Sequence, residues 1–308
     1  METLTIAYAT DENYAKLVWC SLKSLLENNA NFFTVKAYII SDNLSNSSKD
    51  KLSNLISSYN GKICFIEFDS IAYGLDNACT FQNGKTSYAR LFLAQIVKEN
   101  KILYLDCDTL INHSLCDLWN TDLEGYYIAG VKDIIAPQLK QDIQLLPTDI
   151  YINAGILLIN IQEWKKNKIE SQFIAYIKKM NGKISCHDQG IINHVCKNKI
   201  KTISCTYNVM TPFFYLSSLQ IKEIFELKDY YNDIEIKEAG WHIRVWYSNS
   251  KHPYAYLFKK YYNLSPWKKT PLPLGHLTLK IKVLRNIFKI LPFSIYLKIL
   301  RIKRERAK

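Results

Sequence analysis

The segment Lys101-Ile-Leu-Tyr-Leu-Asp106-Cys107-Asp108 carries the sharpest chemical signal in this chain of 308 residues. Apolar, strand-like residues run directly into two carboxylates two positions apart. If the extended conformation persists, both side chains leave the same face at the carboxyl end of the strand. That end is where open α/β sheets bind ligands. Two hard oxygen donors so placed can hold Mg2+ or Mn2+, which can bridge a diphosphate and neutralise its departure. A solvated turn bearing two acids is the plainer alternative. A second group, Cys186, His187, His194 and Cys196, offers thiol and imidazole donors, but its spacing fits no common zinc finger. On a helix Cys186 and Cys196 also fall out of phase, so ordinary helix positions account for the group better. The eight cysteines contain no CxxC pair and read as reduced thiols in ordinary packing.

The elements around these residues alternate in period. Thr3–Ala9 is a short apolar run that stops at Thr10-Asp11-Glu12-Asn13, and Tyr14–Leu26 continues with helical spacing. Val35–Ile40 and Lys62–Phe68 read as further strands, with an amphipathic helix at Lys49–Tyr59 between them. Such β and α units in alternation predict a parallel sheet with helices on both faces. Further along, the pattern predicts a helix at Ser87–Val97, strands at Lys101–Leu105 and Tyr126–Val131, and the apolar run Tyr151–Ile161. Helices at Gln162–Met180 and His187–Cys196 follow, and an irregular segment from Tyr207 to Trp246. The glycine fingerprint of dinucleotide-binding folds is absent, which argues against a dehydrogenase.

Several segments, in order, resemble the family-8 glycosyltransferases, especially the bacterial lipooligosaccharide galactosyl- and glucosyltransferases. Ile6-Ala-Tyr-Ala9-Thr-Asp11-Glu-Asn13-Tyr14 is similar to the first strand and uridine-binding loop of that family. Thr86-Ser-Tyr88-Ala-Arg90-Leu, Asp106-Cys107-Asp108, Tyr151-Ile-Asn153-Ala154-Gly155, His187-Asp188-Gln189-Gly190 and Tyr207-Asn208-Val-Met210 follow in register. Co-occurrence in order is more specific than any one of these motifs. The resemblance implies a GT-A-type, Rossmann-like mixed α/β sheet with helices on both faces. It implies that Ala9, Asp11, Asn13 and Tyr14 hold the uridine, that Asp106 and Asp108 bind a Mn2+ or Mg2+ ion with Asp106 also reaching the donor ribose, and that Cys107 between them belongs to the donor-binding set. Arg90 would contact the donor sugar and hold nearby carboxylates, while Asn153, Ala154 and Gly155 would line the sugar pocket. Asp188 and Gln189 would sit beside the anomeric carbon in a reaction that retains its configuration. Each has a plainer reading as well: Asp11, Asn13 and Asp188 as helix caps, Arg90 as a surface residue, Ala154-Gly155 as core. One segment departs from the family pattern. Glu238-Ala-Gly-Trp-His242-Ile-Arg244-Val-Trp246 is shortened, with His242 in the place of a third metal ligand and Arg244 standing in for a phosphate-binding lysine.

The formal net charge of +12 comes from 40 basic and 28 acidic residues. Nearly all of it lies at one end, because Pro266–Lys308 carries a net +11 and leaves residues 1–265 at +1. That distribution excludes a protein whose whole surface tracks nucleic acid. It divides the chain into a nucleotide-sugar transferase domain, 1–265, and a basic tail, 266–308. In the tail, Leu277, Ile281, Leu284, Phe288 and Leu291 share one helical face, with Lys282, Arg285 and Lys289 off it. A basic amphipathic helix of this kind suits an anionic membrane surface, with a helix packed on the catalytic domain as the rival reading. No basic, apolar leader opens the sequence, and no uncharged stretch in the middle is long enough to span a bilayer. The expectation is a cytoplasmic enzyme, peripheral on the inner face of the cytoplasmic membrane. It would move galactose or glucose from a UDP-hexose to a lipid-linked oligosaccharide, without nucleic acid as a partner. The altered His242–Trp246 segment keeps a second expectation open, a catalytically decayed family member that binds membranes.

Overall fold

The strand β1 (Glu2–Asp11) is apolar on both faces, and from Leu4 to Thr10 every residue is buried. Leu4, Ile6 and Tyr8 enter one core, while Ala7 and Ala9 enter the other. A strand that alternates between two buried faces must be covered by helices on both. The computed structural model describes residues 1–76, 78, 85–133, 135, 137–209, 217–224, 231–238 and 255–270. In chain order, β1 is followed by α1 (Ala15–Asn29), β2 (Phe33–Asp42), α2 (Asn46–Ser57) and β3 (Lys62–Glu67). Then come a 3-10 segment (Thr86–Phe92), α3 (Leu93–Ile96), β4 (Lys101–Leu105), α4 (Cys116–Trp119), β5 (Ile128–Lys132) and α5 (Pro137–Asp142). After these lie β6 (Ile152–Asn160), α6 (Ile161–Lys166), α7 (Ile169–Lys179), α8 (His187–Cys196) and β7 (Ile200–Thr202). Helices α9 (Ser218–Ile224), α10 (Asp233–Glu238) and α11 (Ala255–Leu264) complete the described elements.

Among the described residues, seven strands form one sheet in the order β3-β2-β1-β4-β6-β5-β7. The β1–β2, β2–β3, β1–β4 and β5–β7 pairs are parallel. The expectation of a parallel sheet fails at β6, which runs antiparallel to both β4 and β5, and the mixed sheet implied by the family resemblance is the one observed. This reversal matters for the site. The start of β6 now lies at the same pole as the ends of β1 and β4, with Ile156 opposite Leu105 and the Asp106 N–H donating to the Gly155 carbonyl at 2.8 Å.

Local details differ from the periodicity as well. The helix expected over Ser87–Val97 is a 3-10 segment followed by a single α turn. The helix expected over Gln162–Met180 is two helices, because Asn167 ends α6 and Lys168 adopts a left-handed conformation, φ 51°, that redirects the chain. Within the expected irregular segment 207–246, α9 and α10 are helical. The packed structure continues past α11 to Thr270. The Tyr262 hydroxyl donates to the Trp267 carbonyl at 2.6 Å, and Lys51 of α2 lies 4.6 Å from the centre of the Trp267 ring.

Candidate active site

The loop after β1 is built by its own side chains. The Asp11 carboxylate accepts the Tyr14 N–H at 2.9 Å and so turns the chain into α1. Glu12 accepts the Ser45 N–H and both the Ser45 and Ser48 hydroxyls, which ties this loop to the first turn of α2. Burial alone would raise the Glu12 carboxyl, but those bonds outweigh it and its pKa falls below the ordinary value. Tyr14, 39% exposed, presents its ring to solvent. Its phenol is raised by burial, and by the charges of Asp108 and Asp11 with Cys107 beside them, so this loop and the one after β4 face the same space.

The Asp106-Cys107-Asp108 segment is not extended. β4 ends at Leu105, and Cys107 and Asp108 form a turn, so the two carboxylates do not share a strand face. Thr109 stabilises this turn by donating to the Asp106 carbonyl at 2.8 Å, and its hydroxyl continues through Ser21 to Tyr8 in the core. The Cys107 side chain packs against the core on the α1 side, and burial, followed by Asp108 and Asp106, raises its thiol well above the ordinary value.

Arg90 is the centre of the arrangement. It is 6% exposed, so the plainer reading as a surface helix residue fails. Its Nη2 meets Asp106 at 2.9 Å and its Nε lies 3.0 Å from Asp188, while Nη1 donates to the Ala154 carbonyl. The guanidinium also stacks 4.4 Å from the centre of the Tyr104 ring. Burial opposes its charge, yet the carboxylates of Asp106 and Asp188 hold it above its ordinary pKa. Asp188 is itself 8% exposed. Burial raises its carboxyl, with Asp106 adding to the rise and Arg90 opposing it.

The start of β6 and the start of α8 interlock. Asn153 Oδ1 accepts the Gly155 N–H at 2.9 Å and the Asn208 side-chain amide at 2.8 Å. The Gln189 Oε1 accepts the Ala154 N–H at 3.0 Å. Asp133, at the end of β5, takes the Asn153 amide at 2.9 Å and the Gln189 amide at 3.2 Å on one carboxylate oxygen. Asn193, wholly buried, pairs with both the N–H and the carbonyl of Ile152 and with the Gln189 carbonyl, locking α8 to β6. The sequence reading missed Asp133 and Asn193. Asp133 follows a strand pattern as Asp106 does, but that signal is common, and only its amide partners single it out.

The structure thus gathers Asp106, Arg90, Asp188, Gln189, Asn153, Ala154 and Gly155 at one pole of the sheet, with Ala9, Asp11, Asn13 and Tyr14 at the end of the neighbouring β1 and its loop. His242, Arg244, Met210 and residues 271–308 lie outside the described residues. Among the described residues, no group of three or more carboxylate, imidazole or thiol side chains is arranged to hold a metal ion. His194 stacks on Tyr176 with ring centres 3.8 Å apart, and Cys196 is buried in the core.

Comparison with known proteins identifies the family and the fold. A putative glycosyltransferase of Haemophilus influenzae is 32% identical over 220 residues, 68% of this chain; the match spans 64% of the relative's own length. A lipopolysaccharide 1,2-glucosyltransferase of Escherichia coli is 29% identical over 288 residues, covering 88% of this chain and 81% of the relative. The crystal structure of the galactosyltransferase LgtC, in complex with donor and acceptor sugar analogues, superposes with a TM-score of 0.70 at 21% identity, over 86% of this chain and 99% of that one. That likeness shows the fold, the GT-A architecture. The glycosyl transferase family 8 model matches residues 5–228, and with the fold and the interlocked polar pole it establishes that the chain belongs to glycosyl transferase family 8.

Proposed function

We propose that this glycosyltransferase moves a hexose, galactose or glucose, from a UDP-sugar to a lipid-linked glycan with retention at the anomeric carbon. The observation that carries the reading is the buried Arg90, which bridges Asp106 and Asp188 beside the Ala154 carbonyl. A fork held by two carboxylates has fixed geometry, and such preorganisation is what stabilises charge developing in a transition state. In this reading Tyr14 packs on the uracil and Asn153, Ala154 and Gly155 line the sugar pocket. Asp188 faces the positive charge that grows at the anomeric carbon as the diphosphate leaves.

Asp106 and Asp108 offer hard oxygen donors, and Asp11 adds negative charge to the same space, as its effect on Tyr14 and Cys107 indicates. This donor set fits Mn2+ or Mg2+, which Asp106 and Asp108 would hold with His242 as third ligand. Once bound, the cation supplies charge neutralisation to the departing diphosphate, a role that Arg244 would share. The Gln189 oxygen already accepts the Ala154 N–H, which lowers its strength as a nucleophile. That favours attack by the acceptor on the face the diphosphate leaves. Nothing among the described residues favours the decayed-site alternative.

The test is release of UDP by purified protein given Mn2+ and a panel of UDP-sugars, with and without lipid-linked acceptor. Turnover with UDP-galactose or UDP-glucose, lost in Asp106→Asn and Asp108→Asn, is the expected result, and no release with any donor would refute the reading. The location proposed is the inner face of the cytoplasmic membrane, held by residues 277–308. No described helix is long and apolar enough to cross a membrane. Deleting 277–308 should abolish sedimentation with anionic vesicles, and unchanged sedimentation would refute that role.

A further inference from the structure

The amide of Gln189 has four hydrogen-bonding positions, two on nitrogen and two on oxygen. Both nitrogen positions are occupied, by the Tyr151 hydroxyl at 2.7 Å and by Asp133 Oδ2 at 3.2 Å. One oxygen position is occupied by the Ala154 N–H. The orientation of the amide is not arbitrary, because a backbone N–H can only donate and a carboxylate can only accept. What remains is a single lone pair on Oε1 of a side chain that is partly accessible at the pole of the site. Tyr151 differs from Asp133 in one useful way. It is 2% exposed, so its hydroxyl acts on Gln189 and not on a substrate.

Cys186 lies beside the same hydroxyl: burial raises its thiol above the ordinary value, and Tyr151 opposes that rise. Cys186 and His187 are consecutive non-glycine residues in the left-handed region, at φ 64° and 49°. Such conformations persist where surrounding contacts over-determine them, and this pair sets the direction in which α8 presents Asp188 and Gln189.

We propose that Tyr151 is a positioning residue for sugar transfer: with Asp133 it ties down both amide hydrogens of Gln189, so that Gln189 meets the donor sugar only through an oxygen lone pair. The proposal rests on the transferase reading above for its kinetic consequence. Without the hydroxyl, the amide regains a free N–H, can turn, and offers the anomeric region a donor where an acceptor is needed.

The decisive experiment is a double-mutant cycle of Tyr151→Phe with Gln189→Ala, read as kcat and KM for the UDP-sugar. Loss of one such hydrogen bond corresponds to about a tenfold fall in kcat with KM unchanged in the Tyr151→Phe enzyme. In the Gln189→Ala background the same change should alter kcat by less than about twofold, because the group it acts through is gone. Equal losses in both backgrounds would overturn the proposal. A second readout needs no turnover: the 15N-resolved side-chain amide protons of Gln189 should exchange slowly with solvent in the wild type and rapidly in Tyr151→Phe. Unchanged exchange would also overturn it. Failure of the wild type to use any UDP-sugar would instead sink the transferase reading, and amide exchange would then decide the positioning role by itself.

Discussion

Arg90 offers two substitutions with different physics. In Arg90→Lys the charge is kept but the fork is lost. Its Nε and Nη2 now meet Asp188 and Asp106 separately, at 3.0 and 2.9 Å, while Nη1 reaches the Ala154 carbonyl. One ammonium on a shorter chain cannot hold all three directions. Losing two charge-assisted hydrogen bonds, each worth about 1.5–3 kcal/mol, gives an expected destabilisation of about 3–6 kcal/mol. In Arg90→Met the charge goes too, leaving two carboxylates in a site where Asp188 is 8% exposed. Asp188 already has a raised pKa, through burial and Asp106 against the opposing pull of Arg90, so removing Arg90 raises it further. A carboxyl raised in the folded state favours folding when protonated, and that contribution fades as pH rises through its folded pKa. The Met variant's penalty should therefore be smaller at pH 5 than at pH 8. Urea unfolding of wild type and both variants at these two pH values measures the difference, with transfer rates in parallel. A loss of about 3 kcal/mol of positioning in the transition state would lower kcat/KM by about a hundredfold. A Lys variant within about 0.5 kcal/mol of wild type, or a Met penalty equal at both pH values, would refute the reasoning.

Two further outcomes follow from single sites. Burial raises Glu170 from its ordinary 4.5 to about 6 although it accepts the Gln95 N–H. The stability tied to its protonated form is complete below pH 4.5 and lost as pH rises through about 6. Glu170→Gln should thus be more stable than wild type by about 2 kcal/mol at pH 8 and equal near pH 4.5, and a pH-independent difference in urea unfolding would contradict this. Gly190 packs so closely that a Cβ there would lie 2.1 Å from the Ser185 carbonyl. Gly190→Ala should cost about 1–3 kcal/mol and displace Gln189 next to it, so that an unchanged Tm and kcat would count against the packing described.

Much of the framework was legible in the chain. The apolar run of β1 followed by Asp11, and that of β4 followed by Asp106, announced strands ending in polar loops, because a buried strand must be apolar and a ligand-facing loop need not be. The helical spacing of Tyr14–Leu26 matches α1, which begins one residue later at Ala15. Asp133 escaped notice because an acid after a strand is common, and only its two amide partners on β6 and α8 distinguish it. The extended conformation that would put Asp106 and Asp108 on one face does not persist past Leu105, for a related reason. Alternation holds only while the strand does, and the Thr109 side chain turns the chain immediately after Leu105.

By itself the sequence marked most of the strands and several of the helices, the concentration of charge after Pro266, and which ordered motifs belong together, since these depend on local periodicity and composition. The tertiary structure alone decided that β6 runs antiparallel and that Arg90 is buried between Asp106 and Asp188. It also decided that Gln189 is held by residues from β5, β6 and the segment before β6. The direction of a strand and the partner of a charge are set by contacts between residues tens of positions apart. No local pattern in the chain records them.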